Sequence, residues 1–139
     1  MNTTYVARHD ELVRDFHINI EKATPEYSRV SMLVQDGVRN ATGACHGGAL
    51  FTLADVAFGT AANCESPTMV VTLNASIEYL RPALAGTLVA EARLTHAGKN
   101  LVRYDVHVMD SNGEVVAQML ITGARTRLTP PNRANLPLD

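Results

Sequence analysis

The stretch His46-Gly47-Gly48-Ala49-Leu50-Phe51-Thr52-Leu53-Ala54-Asp55 opens on two glycines and runs into an apolar segment that continues to Cys64. Its pattern predicts a helix from Gly47 or Gly48 to about residue 64, with Leu50, Leu53, Val56, Ala57, Phe58, Ala61 and Ala62 standing nearly all round it. A helix of that kind is enclosed by other structure, not laid on a surface. Asp55 is the single formal charge in the run. A carboxylate facing hydrocarbon has its pKa raised unless partners or water compensate, so its presence asks for a functional reason. The plain alternative is a buried acid paired with an arginine.

Upstream of this segment, Leu12, Val13 and Phe16 predict a short amphipathic helix over residues 10–16 that packs as a cover. After the turn signal at Pro25, residues 28–35 read as a strand with Val30, Met32 and Val34 on one face and Leu33 on the other. Residues 38–45 read as a loop. Downstream, the period changes from helical to alternating. Residues 69–81 set Val71, Leu73, Ala75, Ile77 and Tyr79 against Val70, Thr72, Asn74, Ser76 and Glu78, a long half-buried strand stopped by Pro82. Strands follow over 87–95 and 101–109, joined by a turn at Ala97-Gly98-Lys99-Asn100, and a last one over 115–127 after the Asn112-Gly113 hairpin signal. The expectation is an α+β domain in which one curved antiparallel sheet wraps round a central buried helix. It occupies residues 1–128, with residues 129–139, three of them proline, as a loose tail.

Composition narrows the function classes. The chain has 139 residues, 46% of them hydrophobic, which suits one compact domain. Its 12 basic and 14 acidic residues leave a net charge of −2, which recommends neither nucleic acid nor an anionic membrane as a partner. No signal-like start and no bilayer-length apolar run is present, so a cytoplasmic protein is expected. Cys45 and Cys64 are too few for a disulfide framework and read as reduced thiols near the helix ends. His9, His17, His96 and His107 show no metal spacing, and no metal or cofactor is expected.

The order strand, Asn-x-x-Gly-x-x-His-Gly-Gly loop (Asn40, Gly43, His46, Gly47, Gly48), helix with an acid nine residues after the histidine (Asp55), then antiparallel meander resembles the hotdog-fold acyl-CoA thioesterases of the phenylacetate-degradation, PaaI-like type. The resemblance covers roughly residues 30–127. It implies that the Gly47 N–H polarises a thioester carbonyl, that Asp55 is nucleophile or general base, and that Asn40 and His46 shape the site. It also implies a homodimer that often pairs again into a tetramer, and aryl-acetyl groups such as phenylacetyl or hydroxyphenylacetyl on the CoA, while the residues themselves are equally compatible with medium-chain acyl groups.

Elementary chemistry points the same way. Thioester hydrolysis builds negative charge on the carbonyl oxygen, and donors fixed there are usually the largest catalytic contribution. A helix N-terminus has N–H groups without intrahelical partners and a partial positive charge, and glycine lets a substrate come close to the backbone. A carboxylate with a raised pKa can attack the carbonyl carbon or take a proton from water, and Asp55 is the helix's one candidate. Gly47 and Asp55 are eight residues apart, roughly 12 Å along one helix at 1.5 Å per residue, too far to serve one carbonyl. A second subunit with an antiparallel helix would bring its Asp55 beside the first subunit's Gly47, which predicts a dimer with two shared sites.

Around that centre, Gly48, Leu50, Val56 and Phe58 are expected to line the acyl pocket, and Arg81, Lys99 and Arg103 to grip the CoA phosphates. Each residue has a plainer role open to it: His46 as a loop anchor, Asn40 as a turn residue, the three cations as solvated charges. A Cys45–His46 hydrolase pair is rejected, because consecutive residues point apart. Two other functions stay open: a hydratase or dehydratase that leaves the thioester intact, and a non-catalytic acyl-CoA binding module.

Overall fold

A computed structural model describes residue 6 and residues 9–129. The elements are α1 (Glu11–Asp15), β1 (Asn19–Thr24), β2 (Tyr27–Leu33), α2 (Gly47–Ala62), β3 (Val70–Tyr79), β4 (Thr87–Ala97), β5 (Leu101–Met109) and β6 (Val115–Arg125). The six strands form one antiparallel sheet in the order β1-β2-β4-β5-β6-β3, and α2 contacts all of them. This is the hotdog arrangement that the sequence implied. Apart from residue 129, the expected tail lies outside the described residues.

The helix sits against the sheet because its inward positions are small. Ala54, Ala57 and Ala61 are fully buried, and Ser28 on β2 donates its hydroxyl to the Ala57 carbonyl at 2.5 Å. Phe58 is the large exception and fills the space opposite a glycine: a Cβ built on Gly123 of β6 would lie 2.5 Å from Phe58 Cζ. Its ring meets Tyr104 edge-on, with centroids 5.4 Å apart. Removing a ring of that size from water contributes about 1.5–3 kcal/mol. At the far end of α2, buried Asn63 accepts from the Val70 N–H at 2.8 Å and donates to the Val70 carbonyl at 3.1 Å, tying the end of the helix to the start of β3.

The cover helix α1 is capped by Asp10, whose carboxylate accepts the N–H groups of Leu12 and Val13 at 3.0 and 3.1 Å. It ends where His17 turns left-handed (φ 53°) and the Ile18 N–H reaches back to the Val13 carbonyl. Val13 and Ile18 join the core. β1 carries no strong strand signal and is the one element absent from the sequence reading. It is an edge strand, mostly exposed or half-buried, and its hairpin partner β2 dictates it more than its own residues do.

β3 departs from the expected alternation. The sequence put its odd-numbered residues inward along the whole strand, but the register shifts between Thr72 and Asn74, leaving Leu73 as an extra residue in a bulge. Before the bulge the even positions face α2, with Val70 buried and Thr72 bonded to the helix. After it the odd ones do, with Ala75 and Ile77 packed on the core and Tyr79 bonded to α2. Val71 and Leu73 are 41% and 63% exposed, so the strand is less covered than its composition suggested. The reason is its place at the end of the strand order.

Candidate active site

The loop before α2 is folded by its own polar groups. Asn40 Oδ1 accepts from the Thr42 N–H, the Thr42 hydroxyl and the Ala44 N–H at 3.0, 2.8 and 3.2 Å, and Gly43 takes the left-handed φ of 86° that the turn requires. Arg39 pins the loop from outside by donating to the carbonyls of Gly43 and Leu84 at 2.6 and 2.7 Å. With Asn40 Oδ1 so engaged, the amide NH₂ is the end left for a ligand.

His46 is the N-cap of α2: its Nδ1 accepts the Gly48 N–H at 2.9 Å. The plainer role, loop and helix anchor, is therefore filled, and Gly48 does not offer its N–H to a substrate. Gly47 differs. The His46 carbonyl accepts from the Ala49 and Leu50 N–H groups, so the planar trans peptide holds the Gly47 N–H pointing the other way, out of the helix end. Among the described residues no protein acceptor takes it. It borders a cavity of about 390 Å³ lined by Asn40, Thr42, Leu50, Tyr79, Arg81 and Pro82, among others.

Asp55 lies two turns further along. It is half-buried, and its Oδ1 accepts the Thr72 hydroxyl at 2.8 Å. Burial pushes its carboxyl above the usual range, the Thr72 hydrogen bond opposes this, and the Asp10 carboxylate adds to the rise through like-charge repulsion. No arginine or lysine of the chain pairs with it among the described residues. Cys45 is buried, and burial pushes its thiol up, away from the reactive thiolate.

A family model described as the thioesterase superfamily matches residues 42–117. The chain belongs to the thioesterase superfamily. As a member of it the protein is a thioester hydrolase. Acyl-coenzyme A thioesterase PaaI of Escherichia coli K12 is 33% identical over 117 residues, covering 84% of this chain and 83% of that protein. A putative esterase of Archaeoglobus fulgidus is 32% identical, covering 81% and 73%. Among solved structures, the E. coli PaaI protein from the phenylacetic acid degradation operon superposes with a TM-score of 0.86 at 32% identity, covering 92% of this chain and 93% of that one. A mutant of the phenylacetic acid degradation protein PaaI of Thermus thermophilus gives 0.78 at 27%, covering 84% and 100%.

In this thioesterase the structure gathers Asn40, Gly47, Leu50 and Arg81 around one cavity. Arg81 is also ion-paired with Glu114. Gly48 and His46 stand at its helix cap. Three expected substrate contacts lie elsewhere. Phe58 is 1% exposed and belongs to the core, because its ring is the filler opposite Gly123. Lys99 sits in the β4–β5 turn, whose flanks Ala97 and Val102 line a separate hollow with Ala62 and Cys64 at the other end of α2. Arg103 alternates with buried Val102 and Tyr104, and so points away from the helix. Val56 is buried beside Asp55. Thr72 and Tyr79 escaped the sequence reading as site residues. Each supplies one hydroxyl to α2, and only the bulge shows that both face it. No helix among the described residues is long and apolar enough to cross a membrane.

Proposed function

We propose that the protein hydrolyses acyl-CoA at sites shared between two copies of the chain. The Gly47 N–H of one copy polarises the thioester carbonyl, and the partner's Asp55 attacks the carbonyl carbon or takes a proton from the water that does. On the first route the C–S bond breaks to leave an acyl–Asp55 anhydride, which a water then hydrolyses to free acid and the carboxylate; on the second the water adds directly and the C–S bond breaks to give free acid; on both, CoA leaves as its thiolate and takes up a proton. One observation carries the reading: the open N–H of Gly47 and the unpaired carboxylate of Asp55 lie on one helix, two turns apart. That separation of roughly 12 Å excludes a common carbonyl within a chain and is cancelled by an antiparallel second helix.

The exposed edge of β3, with apolar Val71 and Leu73 and, just beyond, Leu80, supports such pairing. Leu50, Leu80, Pro82 and Ala83 give the cavity apolar walls suited to an aryl-acetyl group, in keeping with the phenylacetic acid degradation operon from which the E. coli PaaI protein comes. Arg81, which lines the cavity, would offer its cation to a CoA phosphate. Lys99, at the other end of α2, would stand nearer the partner's site than its own.

Complementation tests the shared site. Asp55→Ala and Gly47→Pro chains, each inactive alone in a thiol-release assay, are unfolded together and refolded as an equal mixture. Half of the dimers are then mixed, each with one intact site, so activity returns to about one quarter of wild type. A mixture as inactive as its components, with mixed dimers present by mass spectrometry, rules the shared site out.

A further inference from the structure

Two adjacent glycines form the first turn of α2, and glycine has the largest conformational freedom of any residue. The peptide that carries the Gly47 N–H is held from within the helix through the His46 carbonyl, and a grip on the next peptide from outside the helix adds to that hold. Tyr79 is placed to supply it. Its hydroxyl donates to the Gly47 carbonyl at 2.9 Å, and its ring lies where it would meet a Cβ on Gly47 at 3.2 Å. The other end of the same Gly47–Gly48 peptide is gripped by His46 Nδ1 through the Gly48 N–H. One peptide plane is thus clamped at both its carbonyl and its N–H, and through the shared Cα this bears on the neighbouring N–H of Gly47, a residue that lines the cavity.

The clamp depends on the bulge. Thr72 and Tyr79 are seven residues apart, and in a regular strand an odd separation places side chains on opposite faces. The extra residue at Leu73 restores the parity, so the strand that holds the Asp55 carboxylate with one hydroxyl holds the first turn of α2 with another. Bulges re-aim side chains in this way beside functional sites.

Resting on the thioesterase reading above, we infer that Tyr79 is a positioning residue for the oxyanion donor, acting through the Gly47 carbonyl, with its hydroxyl as the operative group. Donor precision is where such a contact acts, because preorganised donors lose their advantage when misplaced by a fraction of an ångström. The contribution therefore falls on kcat more than on substrate binding.

The test is Tyr79→Phe, which keeps the ring and removes one oxygen, assayed by thiol release at a temperature well below the measured unfolding midpoint. The expected result is a kcat about tenfold lower with KM near wild type, less than the loss of about 10²–10³ that follows removal of an oxyanion donor itself. A double-mutant cycle supplies the decisive readout. In a Gly47→Pro background, which has no N–H to position, Tyr79→Phe should lower the residual activity no further. Wild-type kcat in Tyr79→Phe, a change confined to KM, or an equal loss in both backgrounds each overturns the inference while leaving the thioesterase reading intact. Full activity in Gly47→Pro alone would overturn that reading instead.

Discussion

The hydroxyl of Thr72 on β3 lies 2.8 Å from Oδ1 of Asp55 on α2 and is the one hydrogen-bond donor bound to that carboxylate among the described residues. It stabilises the ionised form, against burial and the Asp10 charge, which favour the protonated one. Thr72→Val keeps the shape and deletes the bond. Asp55 should then hold its proton to a higher pH, moving the acid limb of the kcat/KM profile upward. At a pH on that limb the rate should fall about threefold to tenfold, the worth of one hydrogen bond. A pH profile of thiol release for both proteins checks this; an acid limb moving downward contradicts it.

The charge proposed to serve turnover costs stability. A carboxylate whose folded pKa lies above its unfolded value binds its proton more tightly in the native state, so its ionisation opposes folding; the cost is absent below the unfolded pKa and complete above the folded one. Burial raises Asp55 above its ordinary value of 3.8. Asp55→Asn should therefore melt at a higher temperature than wild type near neutral pH, and the gain should shrink as pH falls through the raised pKa toward the ordinary carboxylate value. Turnover should fall by about 10²–10⁴, the usual range for a lost acid or base. Thermal midpoints across the pH range, beside the activity assay, decide both halves.

Gly47 permits a separation of backbone donor from side-chain bulk. It is the first residue of α2, where proline is well tolerated, and His46 before it has the extended backbone (φ −60°, ψ 137°) that proline demands. Gly47→Pro should fold and lose activity by about 10²–10³. Gly47→Ala keeps the N–H and presses a methyl on the Tyr79 ring at 3.2 Å, a contact that a small shift of the ring relieves. Its loss should be much smaller. Equal losses in the two variants would remove the N–H from the mechanism.

Gly123 sets how closely α2 approaches the sheet. A methyl there would stand 2.5 Å from Phe58 Cζ and 3.0 Å from Val70 Cγ1, neither at the end of a flexible chain. Gly123→Ala should destabilise the fold by about 1–3 kcal/mol, the usual cost of overpacking. Adding Phe58→Leu should recover part of that loss. Urea denaturation of the single and double variants measures the coupling, and simple additivity would show that the two positions are not in conflict.

These residues also mark where sequence stops being informative. Buried α2 was legible because a helix apolar on every side admits one environment, and the β4–β5–β6 meander because its hairpins are local. Phe58 was misread as a pocket residue, since an aromatic ring near a candidate catalytic acid looks the same in sequence whether it meets substrate or Tyr104; only the glycine opposite, in a strand 65 positions later, distinguishes them. Asp55 and Gly47 were legible as candidates from type and spacing. Thr72 and Tyr79 were not, because one unpaired residue at position 73 inverts the alternation on which face assignments rest. β1 was missed since its pairing with β2, not its own residues, makes it a strand.

The same kink has a meaning for the chain as it leaves the ribosome. β3 ends the sheet with ten residues of open backbone, and a flat rim of that length would accept almost any extended polypeptide. Bent at position 73, it presents a broken ladder that a foreign straight strand matches over only half its length. One extra leucine thereby blunts a rim that would otherwise invite misassociation.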